Sequence, residues 1–136
     1  MDPHAHFLPF DTLPKISRGN GIVNHLIASR QLGARAIHTG ISELPVGVPA
    51  PRHSHNAEEQ VTVLQGSVQI TLGDRTQICG RFDSTFIAAG VEHTLVNVGE
   101  ATAFVLVVYG SPDVNRTFAA TGETVMIGSD ADQFSA

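Results

Sequence analysis

The sequence predicts an all-β fold: two antiparallel sheets closed on one another as a jelly-roll barrel. Three observations lead there. The apolar residues fall in short runs, several alternating with polar ones, as strands do. Those runs are punctuated by 13 Gly and 7 Pro, mostly at positions where a chain turns. The length, 136 residues, is that of one domain, and a hydrophobic share of 42% is enough for a real core.

Taken in order, residues 1–20 read as an irregular, Pro-rich N-terminal arm, 21–128 as the barrel, and 129–136 as a frayed tail. Residues 22–32 form a short mixed segment that suits either strand or helix. Residues 34–42 alternate as a strand. The loop 44–51 carries three prolines, each lacking a backbone donor. Strands follow at 59–65 and 67–72, joined at Gly66, and the Gly73-Asp74 turn returns the chain along 75–79 as a hairpin. Strands at 84–88, 93–98 and 101–109 come next. The last is a near-continuous apolar run, as in a strand buried on both faces. Short strands are expected at 117–119 and 124–127.

Composition excludes several function classes. The formal charge is -5, with 13 acids against 8 bases and a single lysine, Lys15. No Lys/Arg cluster is present, so neither nucleic acid nor an anionic membrane surface is an expected partner. No run of about 18 apolar residues is available to span a bilayer, and the N-terminus lacks the basic and apolar regions of a signal peptide. A cytoplasmic location is expected. Cys79, the only cysteine, can form no intrachain disulfide and reads as a buried structural thiol.

The chemistry concentrates between Gly47 and Gly66, in GVPAPRHSHNAEEQVTVLQG. On a strand, His53 and His55 look the same way. Glu59 can rejoin that face after the Asn56-Ala57 break, and His93, on a later strand, is the candidate for a fourth ligand. The neighbouring Glu58 reads as an exposed loop acid. Three neutral imidazoles and a carboxylate suit Fe, Mn, Ni, Cu or Zn as a divalent ion and leave open positions on it.

These residues carry a resemblance. The stretch is similar to the first motif of the cupins, Gly, five residues, His-x-His, three or four residues, Glu, six residues, Gly: here Gly47, His53, His55, Glu59 and Gly66. The second cupin motif is met by Gly80, Gly90, His93 and Asn97, with Ala88 where the family has proline. The two motifs span 47–97. The resemblance implies a small single-domain cupin, a double-stranded β-helix whose metal ligands would be His53, His55, Glu59 and His93. It also implies a homodimer, for which the apolar residues Phe7, Leu8, Phe10 and Leu13 of the arm give mild support.

Alternation extends the site. Val61, Val63 and Leu95 are expected to line the cavity, with Phe86, Phe104 and Leu106 as further lining. His38 and Tyr109 are the candidate catalytic side chains. Asn97 is expected to fix a turn, Gln60 and Arg52 to face outward, and His4 and His6 to lie on a solvated arm. Arg116, in the segment 115–125, has no role legible in the sequence. The expected pocket is apolar with few titratable groups, which favours chemistry performed by the metal itself. The leading expectation is thus a metal-dependent oxygenase, of dioxygenase type, acting on a small, partly apolar molecule. The alternatives are a redox-neutral isomerase, cyclase or lyase, and a non-catalytic binding module for a small ligand.

Overall fold

A computed structural model describes residues 4–134. Twelve strands make two six-stranded antiparallel sheets. In chain order they are β1 (Lys15–Ser17), β2 (Val23–Leu26), β3 (His38–Leu44), β4 (His53–His55), β5 (Glu59–Gln65), β6 (Val68–Leu72), β7 (Arg75–Cys79), β8 (Ser84–Ile87), β9 (His93–Asn97), β10 (Ala103–Tyr109), β11 (Asn115–Phe118) and β12 (Thr124–Met126). One sheet has the order β1-β2-β3-β10-β5-β8 and the other β12-β11-β4-β9-β6-β7. From β3 to β11 the chain passes repeatedly between the sheets, with β6 and β7 as a hairpin within one of them, which is the jelly-roll arrangement.

The core lies between the sheets and follows the period of two. On β5, Glu59, Val61 and Val63 point inward while Gln60 is exposed. On β10, Ala103, Val105, Val107 and Tyr109 are buried, and Phe104, Leu106 and Val108 stand half-covered on the outer face. The apolar run of β10 is therefore buried fully on one face only. Gly66, after β5, has φ +100°, and a Cβ there would lie 2.8 Å from that of Ala103. Only glycine fits this approach of two backbones. Gly73 opens the two-residue loop between β6 and β7 at φ +58°.

The ends of the chain correct the expectation. The arm is not irregular throughout: Phe10–Thr12 form a 3₁₀ turn, and β1 pairs with β2 at the sheet edge. A three-residue strand of sequence Lys-Ile-Ser carries too little alternation to be read in advance. The segment 22–32 is strand first and a 3₁₀ turn (Arg30–Leu32) after, and the next strand starts at His38 rather than at 34. The tail is not frayed through Phe134. Asp132 is fully buried and Phe134 nearly so, because the chain folds back across the barrel and Phe134 N–H donates to Arg18 O. Residues 135–136 lie outside the described residues. No helix among those described is long and apolar enough to cross a membrane.

Candidate metal centre

Register brings the expected ligands together. His53 and His55 point inward from β4 with Ser54 between them facing away, and His93, first residue of β9, pairs directly with His53. Glu59, first residue of β5, approaches from the opposite sheet. All four are buried to within 4% of full enclosure. The imidazole centroids lie 4.3–5.1 Å apart, and ligand nitrogens of the three rings fall within 4.8 Å of one another.

Hydrogen bonds assign the tautomers. Each ring turns Nδ1 to a backbone carbonyl: His53 to Pro51, His55 to Asn115 at 2.8 Å, and His93 to Val91 at 2.9 Å. A carbonyl only accepts, so each Nδ1 carries the hydrogen and each Nε2 presents a lone pair. This is how metal-binding histidines are commonly oriented. Glu59 Oε1 lies 3.2 Å from His55 Nε2 and 2.9 Å from His93 Nε2. These three atoms are buried and have no hydrogen-bond partner. Two lone pairs and a carboxylate oxygen this close repel one another unless a cation stands among them, either protons on the rings or a metal ion. A donor set of three nitrogens and one oxygen fits a divalent first-row transition metal. Cys79 is buried elsewhere, near Thr85.

Electrostatics agree. Burial alone would raise the Glu59 carboxyl; with protons on His55 and His93 as the facing cation, their hydrogen bonds and charge more than reverse this and hold it below the ordinary carboxylate range. Burial, and then the charge of Arg116, push His53 well below its ordinary value, so it stays neutral.

Beside the donors lies a cavity of about 60 Å³, bordered by β2, β3, β10 and the C-terminal segment. Its walls part from expectation in two ways. First, the apolar lining differs. Leu95 is there as expected, joined by Val105 and Val107. Val61 and Val63 are fully enclosed in the packed core rather than on the cavity wall. Phe104 and Leu106 project from the outer face of β10, and Phe86, beside Gln60 on the outer face of edge strand β8, is 63% exposed. The alternation of β10 assigns its odd residues inward, so the even ones cannot line the barrel.

Second, the pocket is rich in titratable groups. His38 and Tyr109 both border it, adjacent in the β3–β10 register with rings 5.9 Å apart. Tyr109 also pairs with Glu59 in register and packs edge-on against His55 at 4.8 Å. Burial, then the Glu59 charge, push its phenol well above the ordinary value, so it keeps its proton. Burial and then Arg18 lower His38, leaving a neutral imidazole.

Arg18, His25, Arg116 and Phe134 complete the wall, and none was legible in the sequence as a site residue. Arg116 Nη1 donates to His53 Nε2 at 3.1 Å and its Nε to Asp132 Oδ1 at 2.8 Å. Arg18 donates to the Asp132 carbonyl at 2.9 Å. The only sequence signal was the isolated Arg in an otherwise hydroxyl-rich run, whose strand register places it opposite His55. Asn97, Arg52, His4 and His6 lie as expected. Asn97 donates to Leu44 O and Ala101 O and accepts from Gly99 N, closing its turn. Arg52 faces out to Glu92, and His4 and His6 are exposed.

The comparisons with known proteins fit this geometry. The family model described as Cupin domain matches residues 40–109. No curated protein matches the chain. Among solved structures, the polyketide cyclase RemF from Streptomyces resistomycificus superposes with a TM-score of 0.71 at 22% identity, covering 87% of this chain and 89% of that one. A cupin-superfamily sugar phosphate isomerase from Silicibacter pomeroyi gives 0.69 at 20% identity, over 96% and 100% of the two chains. KdgF from Halomonas sp. gives 0.70 at 14% identity, over 80% and 96%. At these identities the likeness is one of fold.

Proposed function

The chain belongs to the cupin family, and from that premise we propose that it is a divalent-metal enzyme performing redox-neutral acid–base chemistry on a small carbonyl compound: an isomerase, cyclase or lyase. The observation that carries the metal is the set of buried, unpartnered donors on His55, His93 and Glu59. His53, His55, Glu59 and His93 would hold the ion. When bound, it supplies Lewis acidity toward a carbonyl oxygen.

The choice of redox-neutral chemistry rests on the titratable walls. An oxygenase was expected because the pocket was expected to be apolar, and His38, Tyr109, Arg18 and Arg116 remove that premise. His38 is neutral and half-buried, suited to take a proton from the carbon beside the carbonyl and return it at another position. Tyr109 retains its proton, suited to donate a hydrogen bond to an oxygen that gains charge as the carbon loses its proton. Leu95, Val105 and Val107 give the apolar contact that keeps bulk water from the acidic carbon. The structural neighbours include a polyketide cyclase and a sugar phosphate isomerase, in line with this reading.

The oxygenase remains the second reading, favoured by the open positions that four ligands leave on the ion. Turnover of the metal-loaded protein on a panel of enolisable ketones, hydroxyketones and phenols, run with and without oxygen, tests the two. Product formed anaerobically supports the proposal. Product formed only with stoichiometric oxygen uptake selects the second reading. Tight ligand binding with no product leaves a binding module. A homodimer is proposed as well, supported by Phe7, fully exposed on the arm beside the partly exposed Leu8 and Phe10.

A further inference from the structure

Arg116 is the cation that touches the metal donors. Three contacts fix its guanidinium: Nη1 donates to His53 Nε2 at 3.1 Å, Nε donates to Asp132 Oδ1 at 2.8 Å, and the plane lies 4.5 Å over the Phe134 ring. Two of the three belong to the folded-back C-terminal segment and do not involve His53. The lone pair on His53 Nε2 has room for one occupant, the Arg116 N–H or a metal ion. An ion held through His53 therefore releases Arg116 Nη1 while Asp132 and Phe134 keep the guanidinium in place at the cavity wall.

Charge then points to the class of ligand. Arg18 and Arg116 are buried with Asp132 and Glu59, two cations against two anions. His25, across the cavity, is matched by Glu43 at 3.1 Å. A divalent ion adds two positive charges to this balanced set, among side chains that are themselves buried. Buried charge needs a partner. The donors to meet one are in place: Arg116 Nη1 once released, and Arg18 Nε, which is buried, 3.7 Å from Asp132 Oδ2 and without a hydrogen bond.

We propose that the ligand of this cavity is an anion, a small carboxylate or a carbonyl compound that ionises on binding, and that Arg116 is its anchor, switched from His53 to the ligand by the arrival of the metal. The inference rests on the metal reading above and adds to it the substrate class and a coupling: metal and anion bind together. It also assigns the C-terminal segment 129–134 a positioning role, through Asp132 and Phe134.

The test uses the full chain, stripped of metal and then loaded with Co(II), with propionate as the anionic probe and propionamide as its neutral counterpart. Calorimetry reads both affinities and the Co(II) visible spectrum reports the site directly. Wild type is expected to bind propionate at least about tenfold more tightly with metal than without, and propionamide equally weakly in both states. Arg116→Gln is expected to weaken propionate binding to the loaded protein by about tenfold or more while Co(II) affinity holds or rises, because a competitor for His53 is gone. A merely structural arginine gives the opposite pattern: Co(II) affinity falls and the propionate preference is unchanged. That pattern, or equal propionate affinity with and without metal, overturns the proposal. If Arg116→Gln fails to fold, Arg116→Lys keeps the charge beside Asp132 but loses the planar fork, and must weaken propionate in the same direction for the proposal to stand. Failure of wild type to take up Co(II) at all overturns the metal reading itself, whereas metal uptake without anion coupling overturns this inference alone.

Discussion

Replacing Asp132 by Asn removes one charge and almost no volume from the most enclosed ionic cluster in the molecule. The Asp132 carboxylate is fully buried, accepts from Arg116 Nε at 2.8 Å and from Gly128 N at 3.2 Å, and faces Arg18 Nε at 3.7 Å. The two arginine side chains are 1% and 4% exposed, and Arg18 and Arg116 carry like charges into the same space. With Asn, both guanidinium groups remain buried without their shared counter-ion. Removing one partner of a buried pair costs about 3–5 kcal/mol, because the other charge is left uncompensated. Both arginines border the cavity, where water can partly solvate them, so the loss should fall near the lower end, about 3 kcal/mol. With a urea slope of about 1–3 kcal/mol/M for a chain of this size, the midpoint drops by about 1–3 M. The assay is equilibrium urea unfolding of the metal-stripped protein, so that metal linkage does not enter. Adding Arg116→Met to Asp132→Asn should recover part of the loss, since it removes one of the two stranded charges. A loss below about 1 kcal/mol for Asp132→Asn, within the range of an exposed ion pair, would refute the claim that the C-terminal segment is tied into the barrel by this cluster.

Other consequences are direct. Gly66→Ala places a Cβ 2.8 Å from that of Ala103 at φ +100°, and should destabilise by about 1–3 kcal/mol in the same unfolding assay. His38, lowered by burial and then by Arg18, should titrate below its ordinary 6.5 by NMR. The unfolded chain therefore takes up this proton first, so the His38 contribution to stability is complete above about pH 6.5 and is lost as pH falls toward the folded value. Arg18→Met should raise the His38 value. Phe7→Ser with Leu8→Ser should convert a dimer into monomer in sedimentation at micromolar concentration, and a wild type already monomeric there would end the proposal of a homodimer.

Much of this site was legible in the sequence because strands encode facing by parity. His53, His55 and Glu59 are all odd-numbered on successive strands, and the glycine frames around them set turn positions, so the ligands could be named before their distances were known. On β10 the expected lining residues Phe104 and Leu106 fall on the outer face, and their odd-numbered neighbours Val105 and Val107 face the cavity instead. The polar wall was illegible for a different reason. Arg18, Arg116 and Asp132 meet only because β1 joins the sheet edge and the C-terminal segment folds back over the barrel. β1 is itself mostly exposed, and in the segment 129–134 only Asp132 and Phe134 are buried; Arg18, Arg116 and Asp132 are joined by contacts between positions 114 and 16 residues apart in the chain. Long-range charge pairing of that kind leaves no local periodicity to read.

Metal content by elemental analysis of the protein purified without chelator, beside His55→Ala and Glu59→Gln, tests the metal centre most directly. The three lone pairs and the carboxylate predict about one equivalent of a divalent transition metal per chain in the wild type, either as isolated or after reloading, and a loss of at least tenfold in affinity in both variants. Wild type that stays empty after reloading with iron, manganese, nickel, copper and zinc, or variants that retain metal as well as wild type does, would contradict it.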